Sequence, residues 1–154
     1  MASIQIYLAG RMSGLSLDEA TGWRREFAER YAFHTDRLPN IFIPPYYFNY
    51  DMNSDAFTDM ECFRFELRQL KKSDVLVVNL KDIEKSIGTC QELMAAYLND
   101  IPVVAFSTDM ASEEVYSKVH PWLLEEIDKV FTGETAIKDA ADYVYVYYGG
   151  DKII

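Results

Sequence analysis

The chain has 154 residues, 49% of them hydrophobic and 26% charged, the make-up of one globular domain able to bury a core without disulfides or metals. Fifteen lysines and arginines face 25 aspartates and glutamates, for a net charge of −10. So acidic a surface repels phosphate backbones and anionic membranes, which argues against a nucleic-acid platform but not against a small anionic ligand held in a locally positive pocket.

In chain order, Ile4 to Ala9 is a short apolar run bounded by Gly10 and predicts a buried strand. Ser16-Leu17-Asp18-Glu19 is a capping box opening an amphipathic helix over Leu17 to about Tyr31. Ile41-Phe42-Ile43 predicts a second strand stopped by Pro44-Pro45, and the aromatic stretch from Tyr46 to Ser54 predicts a loop. A helix follows over Phe57 to Lys72, with Phe63, Leu67 and Leu70 on one face. Asp74 to Leu80 is apolar enough for a central parallel strand. Lys81 to Gly88 then predicts a loop, Thr89 to Asn99 a helix, and Pro102 to Phe106 a strand. Ser107 to Glu113 predicts a loop, followed by helical character to Ile127 interrupted at Pro121, and Lys129 to Phe131 a short last strand. Glu134 to Tyr148 predicts a final helix ended by Gly149-Gly150.

Strands alternating with helices imply an α/β fold, a parallel sheet covered on both faces. Such sheets bind ligands beyond the carboxyl ends of their strands, which directs attention to Gly10 to Gly14, Lys81 to Gly88, and Ser107 onward. Cys62 and Cys90 form no C-x-x-C pattern, and His34 and His120 are isolated. This pattern implies a reducing compartment and no metal centre. The N-terminus shows no signal peptide, and the apolar run Val75 to Val78 is far too short to span a bilayer. The chain reads as a cytoplasmic protein with no membrane association.

The first chemical candidate is Ser86-Ile87-Gly88-Thr89-Cys90-Gln91-Glu92. It lies at a strand-to-helix junction, where Gly88 permits close approach, the amides of Gly88 and Thr89 face outward, and Ser86 adds a hydroxyl. Such a junction can hold a phosphate or a sugar hydroxyl. Thr89-x-x-Glu92 is equally a capping box, in which Glu92 only bonds back to the Thr89 amide. Glu66 shares the helical face of Phe63 and Leu67, and a carboxylate on an apolar face acquires a raised pKa that suits a general acid; an edge position reaching solvent is the competing reading. Two carboxylates, one nucleophilic and one proton-donating, are what retaining glycosyl chemistry requires. Tyr7 at the end of the first strand is placed either to orient Glu92 or merely to pack. Arg11, Met12 and Ser13 sit at the same edge in a glycine-bearing loop that matches neither G-x-G-x-x-G nor a P-loop. The stretch Tyr46, Tyr47, Phe48, Asn49 and Tyr50 offers a wall for a flat base, with Asn49 as a polar contact, or an oligomer surface.

Ile6-Tyr7-Leu8-Ala9-Gly10-Arg11-Met12, Ser73-Asp74-Val75 through Leu80, Gly88-Thr89-Cys90-Gln91-Glu92-Leu93 with Ala96, and Ile101-Pro102-Val103-Val104 form an ordered series. Together they resemble the nucleoside 2-deoxyribosyltransferase family and the similar 2′-deoxynucleoside 5′-phosphate N-hydrolases, over about residues 4 to 131. The resemblance implies a flavodoxin-like three-layer sandwich and no cofactor. It implies nucleosides or nucleotides and free nucleobases as partners, and a homo-oligomer whose sites borrow a loop, here within Ser107 to Trp122. It places Glu92 on the nucleophile that bonds to C1′ and Tyr7 on the tyrosine that contacts it, with Gly10 and Met12 on the loop lining sugar and base. Two departures stand out. Glu66 replaces a base-contacting aspartate, and Ser86 replaces an aspartate that binds the 5′-hydroxyl, as in the monophosphate hydrolases. The expected activity is deoxyribosyl transfer between bases. Hydrolysis of nucleoside 5′-monophosphates is the alternative, and an idle nucleotide-binding regulator the weaker one.

Overall fold

The structure is a computed structural model that describes residues 4–35, 40–47 and 57–149. Five parallel strands form one sheet: β1 (Gln5–Ala9), β2 (Asn40–Phe42), β3 (Val75–Asn79), β4 (Val103–Ser107) and β5 (Lys129–Thr132). Their order is β2-β1-β3-β4-β5, the flavodoxin-like order, with its switch point between β1 and β3. The helices are α1 (Leu17–Ala32), α2 (Pro44–Tyr47), α3 (Asp59–Lys71), α4 (Ile87–Leu98), α5 (Ser112–Lys118), α6 (Pro121–Glu125) and α7 (Ala136–Val144).

The continuous apolar runs resolve into two faces, because successive strand residues point to opposite sides. Ile6 and Leu8 of β1 join Val75, Val77, Val104 and Phe106 in a core closed by α1 and α7. Tyr7 and Ala9 join Leu76, Val78, Val103 and Ala105 in a second core closed by α3, α4 and α5. Both faces of the central strands are therefore buried, which is why they lack polar alternation. Arg30 grips Asp142 with Nε at 2.8 Å and Nη2 at 3.0 Å, fastening α1 to α7.

Local signals set most boundaries. Ser16 caps α1 in a reciprocal box with Glu19, and Pro121 separates α5 from α6 as expected, with His120 as the N-cap. Four expectations are corrected. Pro44 opens a short helix that includes Tyr46 and Tyr47 rather than a loop, since a proline's fixed φ suits a first helical turn. Phe63 is 50% exposed, and the inward side of α3 is instead built from Phe65, Glu66, Leu67 and Leu70, with Phe65 against Phe42. The segment after β3 is not irregular throughout, because a 3₁₀ turn at Ile83–Lys85 buries Ile83. Finally, α7 stops at Val144 and continues as a wider π turn over Tyr145–Gly149. Among the described residues, no helix is long and apolar enough to cross a membrane.

Candidate active site

The capping alternative for Glu92 is removed by where α4 begins. The chain leaves β3, turns at Asp82 in the left-handed region (φ 53°), and passes through the 3₁₀ turn. It is delivered to Ser86 as the N-cap, so Ile87, not Thr89, starts the helix. Glu92 then lies in the second turn, beyond reach of a capping role. It shares the inward stripe with Thr89, Leu93 and Ala96, all three of them buried.

Facing it across the carboxyl half of β1 are Tyr7 and, from α3, Glu66. Burial pushes the Glu66 carboxyl up to about 7, with only the Arg24 guanidinium opposing. One of its oxygens, Oε1, is buried and makes no hydrogen bond among the described residues. A buried carboxylate oxygen without a donor is costly, whereas a carboxylic acid tolerates that environment better and can offer its proton to a ligand. Glu92 is raised to about 8, mainly by burial and further by the charge of Glu66, while the Tyr7 phenol and Arg24 pull it down. The two acids are therefore a coupled pair that repels its second negative charge. The Tyr7 phenol is near enough to Glu92 to pull its pKa down, yet its hydroxyl is buried and closes no hydrogen bond among the described residues. Its own proton is held tightly by burial and by the two carboxylates. Tyr7 and Arg24 favour charge on Glu92, but burial opposes it on both acids, and the lower value of the two belongs to Glu66.

The member that motif reading missed is Arg24. It is completely buried on the inward stripe of α1 with Ala20, Phe27 and Tyr31. Nε donates to the carbonyl of Leu8 at 3.1 Å, Nη2 to that of Gly10 at 3.2 Å, and Nη1 to that of Ala20. Its guanidinium carbon lies 4.5 Å from the Trp23 ring centroid. Burial lowers its pKa to about 10, against the pull of Glu92, Tyr7 and Glu66, so it stays a cation at neutral pH. The signal was available in the sequence, because Ala20, Arg24, Phe27 and Tyr31 are spaced i, i+4, i+7, i+11 and put an arginine on an apolar stripe.

The glycine-bearing loop after β1 does different work from that of the acids. A Cβ on Gly10 would stand 3.0 Å from Trp23 and 3.3 Å from Asn79, so the glycine permits close packing of the loop on α1 and β3. Arg11 bonds Asp82 at 2.8 Å and the Ser13 carbonyl at 3.1 Å, stapling the β1 loop to the β3 loop. Met12 is half-buried and Ser13 exposed. A cavity of about 320 Å³ opens beside this staple, between Arg11, Trp23, Asn79, Asp82 and Thr108. Glu66 and Glu92 do not line it. The candidates thus divide into an acid cluster on the α3/α4 side of the sheet and a polar crevice on the α1/α7 side.

At the start of α4, the Ser86 and Thr89 hydroxyls lie 2.6 Å apart and no side chain caps the first-turn amides. Gly88 is exposed, with open space where a Cβ would be. This helix terminus presents donors to an anion one turn from Glu92. Tyr46 is exposed on α2. Asn49, Phe48 and Tyr50 lie outside the described residues, as does the side chain of Tyr47. Among the described residues, no group of three or more His, Cys, Asp or Glu could hold a metal.

The raised acids have a measurable consequence for stability. An unfolded glutamate ionises near pH 4.3, so between that value and the folded values of about 7 and 8 the folded chain binds more protons than the unfolded one. Stability contributed by the pair is therefore largest at low pH and is lost as pH rises from about 4.5 to 8. We expect the double substitution Glu66→Gln, Glu92→Gln to flatten the fall in Tm over that window. An unchanged slope in calorimetric scans would contradict the burial assigned to the pair.

No protein-family profile matches the chain, and no curated protein matches it in sequence. Solved structures do. A conserved protein from Enterococcus faecalis V583 superposes with a TM-score of 0.70 at 18% identity, covering 92% of this chain and 98% of its own. A 2-deoxyribosyltransferase from Bacillus psychrosaccharolyticus gives 0.64 at 18% identity, covering 88% and 90%. An NADH:FMN oxidoreductase (EMOB) in its apo form gives 0.56 at 10%, covering 98% and 92%. A glycosyl transferase and a flavin enzyme share this architecture, so the likeness establishes the flavodoxin-like three-layer α/β fold, and function has to be argued from the site.

Proposed function

We propose that the chain, as a single domain, is a nucleoside 2-deoxyribosyltransferase working through a glycosyl-glutamate intermediate. One observation carries this reading: two half-buried glutamates on different helices converge on a tyrosine at the carboxyl half of β1, where the Tyr7 hydroxyl and Glu66 Oε1 are both buried and without a hydrogen-bond partner among the described residues. In the first half-reaction a Glu92 oxygen attacks C1′ while the C1′–N bond breaks. Its electron pair stays on the base nitrogen, which takes the proton of Glu66. In the second half-reaction an acceptor base attacks C1′, the ester bond to Glu92 breaks, and the acceptor's proton returns to Glu66. Tyr7 holds the Glu92 carboxylate in line. No cofactor is required by these steps. The fold likeness to a 2-deoxyribosyltransferase supports the reading.

A second reading is favoured by the start of α4. Ser86, Thr89 and the uncapped amides around Gly88 suit a 5′-phosphate, where a carboxylate would repel it. Water would then finish the turnover, giving free base and sugar phosphate. Incubation with deoxynucleosides and deoxynucleoside monophosphates, with and without added adenine or cytosine, separates the two. Exchange that requires added base supports transfer, release of sugar phosphate supports hydrolysis, and neither product refutes both.

We also propose that the protein is a homo-oligomer. Met60 and Phe63 of α3 and Ile87, Met94 and Tyr97 of α4 leave apolar surface exposed beside the acid cluster. Tyr116 and Trp122, within the 107–122 segment, are exposed too and available to a neighbour's site. Sedimentation equilibrium is expected to return a multiple of 17.8 kDa, and a monomer at micromolar concentration would refute assembly.

A further inference from the structure

We propose that the crevice beside the Arg11–Asp82 staple is a second ligand site, built for a small organic anion: a carboxylate or phosphate carried on a single ring. The inference is independent of the glycosyl-transfer reading, since neither Glu66 nor Glu92 lines the crevice.

Its position follows from the sheet. β1 ends at Ala9, β3 at Asn79 and β4 at Ser107, and the crevice takes Arg11, Asn79 and Thr108 from the chain at or just after those ends. It therefore lies outside the carboxyl edge, at the switch point between β1 and β3 where open parallel sheets place ligands. Strand alternation sends Asn79 to the same side as Val75 and Val77, toward α1 and α7, whereas Tyr7 and Ala9 face α3 and α4. A cavity of about 320 Å³ is at the small end of the range for ligand pockets, and suits a substituted ring rather than a dinucleotide.

The lining combines an apolar wall with donors that have nothing to bond. Trp23 is braced by Phe106, with ring centroids 5.2 Å apart, and by the Arg24 guanidinium at 4.5 Å. Leu15 and Ile137 continue its apolar surface. Asn79 Oδ1 accepts from the Lys81 amide at 3.0 Å. That bond sets the orientation of the carboxamide and leaves both Nδ2 protons without an acceptor among the described residues. The Trp23 indole N–H, the Lys81 ammonium and the Thr108 hydroxyl likewise have no partner among the described residues. The acceptors, by contrast, are engaged. Asp82 is held by Arg11 at 2.8 Å, and Glu19 belongs to the Ser16 capping box. Glu19 feels the Lys81 charge, yet no ion pair joins them among the described residues. Lys81 is thus the uncommitted charge of the crevice. A ringed anion satisfies all of these groups together: its charge meets Lys81, its oxygens take protons from Asn79, Trp23 and Thr108, and its ring covers the apolar wall.

The test is a titration of the full chain, isotopically labelled on nitrogen, followed by NMR of its side-chain N–H groups. The chain has two tryptophans, so Trp122→Phe assigns the indole signal of Trp23. Benzoate and phenyl phosphate are the probes, with benzyl alcohol and inorganic phosphate as controls that lack the charge and the ring. At least one ringed anion should shift the Trp23 indole and Asn79 carboxamide signals saturably at about millimolar concentration, the affinity of a ligand of about ten heavy atoms. The two probes show which acid group the crevice takes. Both controls should bind at least about tenfold more weakly. Lys81→Glu, a change at an exposed side chain, and Asn79→Asp, which keeps the acceptor for the Lys81 amide, should each weaken the ringed anion by at least about tenfold. Should Asn79→Asp not fold, Lys81→Glu still decides. Binding of neither ringed anion, equal binding of either control, or unchanged affinity in Lys81→Glu overturns the proposal. So do shifts confined to the Gly88 and Thr89 amides, which would place the anion at the start of α4 instead.

Discussion

Replacing Glu92 with Ala is expected to lower base release by about 10³-fold or more, with the fold intact. Loss of a covalent nucleophile removes the intermediate, not merely a contact, and costs of this size are typical of residues whose bond-forming oxygen has no substitute. The side chain is on the inward stripe of α4 without being part of a cap, so truncation does not unwind the first turn. The distinguishing measurement is rescue. Azide entering the space left by the carboxylate should attack C1′ from the face Glu92 would have used and release a glycosyl azide of inverted configuration. Full activity in Glu92→Ala, or azide-insensitive residual activity with unchanged products, would exclude Glu92 as nucleophile. The isosteric Glu92→Gln should lose activity equally while gaining stability above pH 7. A buried acid that folding forces toward its neutral form is replaced there by a neutral amide.

Substituting Glu66 with Gln is expected to slow release of ordinary bases by about 10²- to 10⁴-fold, the usual range for a positioned general acid. The effect should depend on the leaving group. A deoxynucleoside of N7-methylguanine carries a cationic base that departs neutral without a proton, so Glu66→Gln should cost it little. The basic limb of kcat/KM, which reports loss of the Glu66 proton, should flatten in the same variant. Equal slowing of both substrates would mean that Glu66 packs the site rather than protonating the base. The motivation is local: Glu66 places an oxygen in a buried environment with no donor among the described residues, and burial raises its carboxyl to about 7.

How much of this was legible in the sequence differs by residue. The strand around Val75–Asn79 and the capping box at Ser16 depend on neighbours within a few positions, and both appear where pattern placed them. Glu66 was singled out because a carboxylate broke an apolar face, and it does point inward. Phe63, assigned to the same face, does not, because the true inward side of α3 is rotated toward Phe65 and Phe42. A helical wheel fixes relative phase but not which direction meets the sheet. Glu92 satisfied two local motifs at once, and the geometry of the preceding turn separated them. The left-handed Asp82 and the 3₁₀ turn shift the helix start to Ile87 and carry Glu92 past the cap. Arg24 was readable as an anomaly of spacing, although nothing local says which charges it faces.

By itself, then, the sequence determined the order and type of the elements, the parallel sheet and the two acids and tyrosine with suitable chemistry. Those properties follow from periodicity, capping and turn residues, which act over one or two turns of chain. Only the tertiary structure decided that Tyr7, Arg24, Glu66 and Glu92 come near enough to feel one another's charge, and that Arg11 instead staples two loops beside a separate crevice. These four residues come from β1, α1, α3 and α4, up to 85 positions apart by the difference of their numbers. Their meeting depends on the β1–β3 register and on which side of the sheet each crossover places its helix.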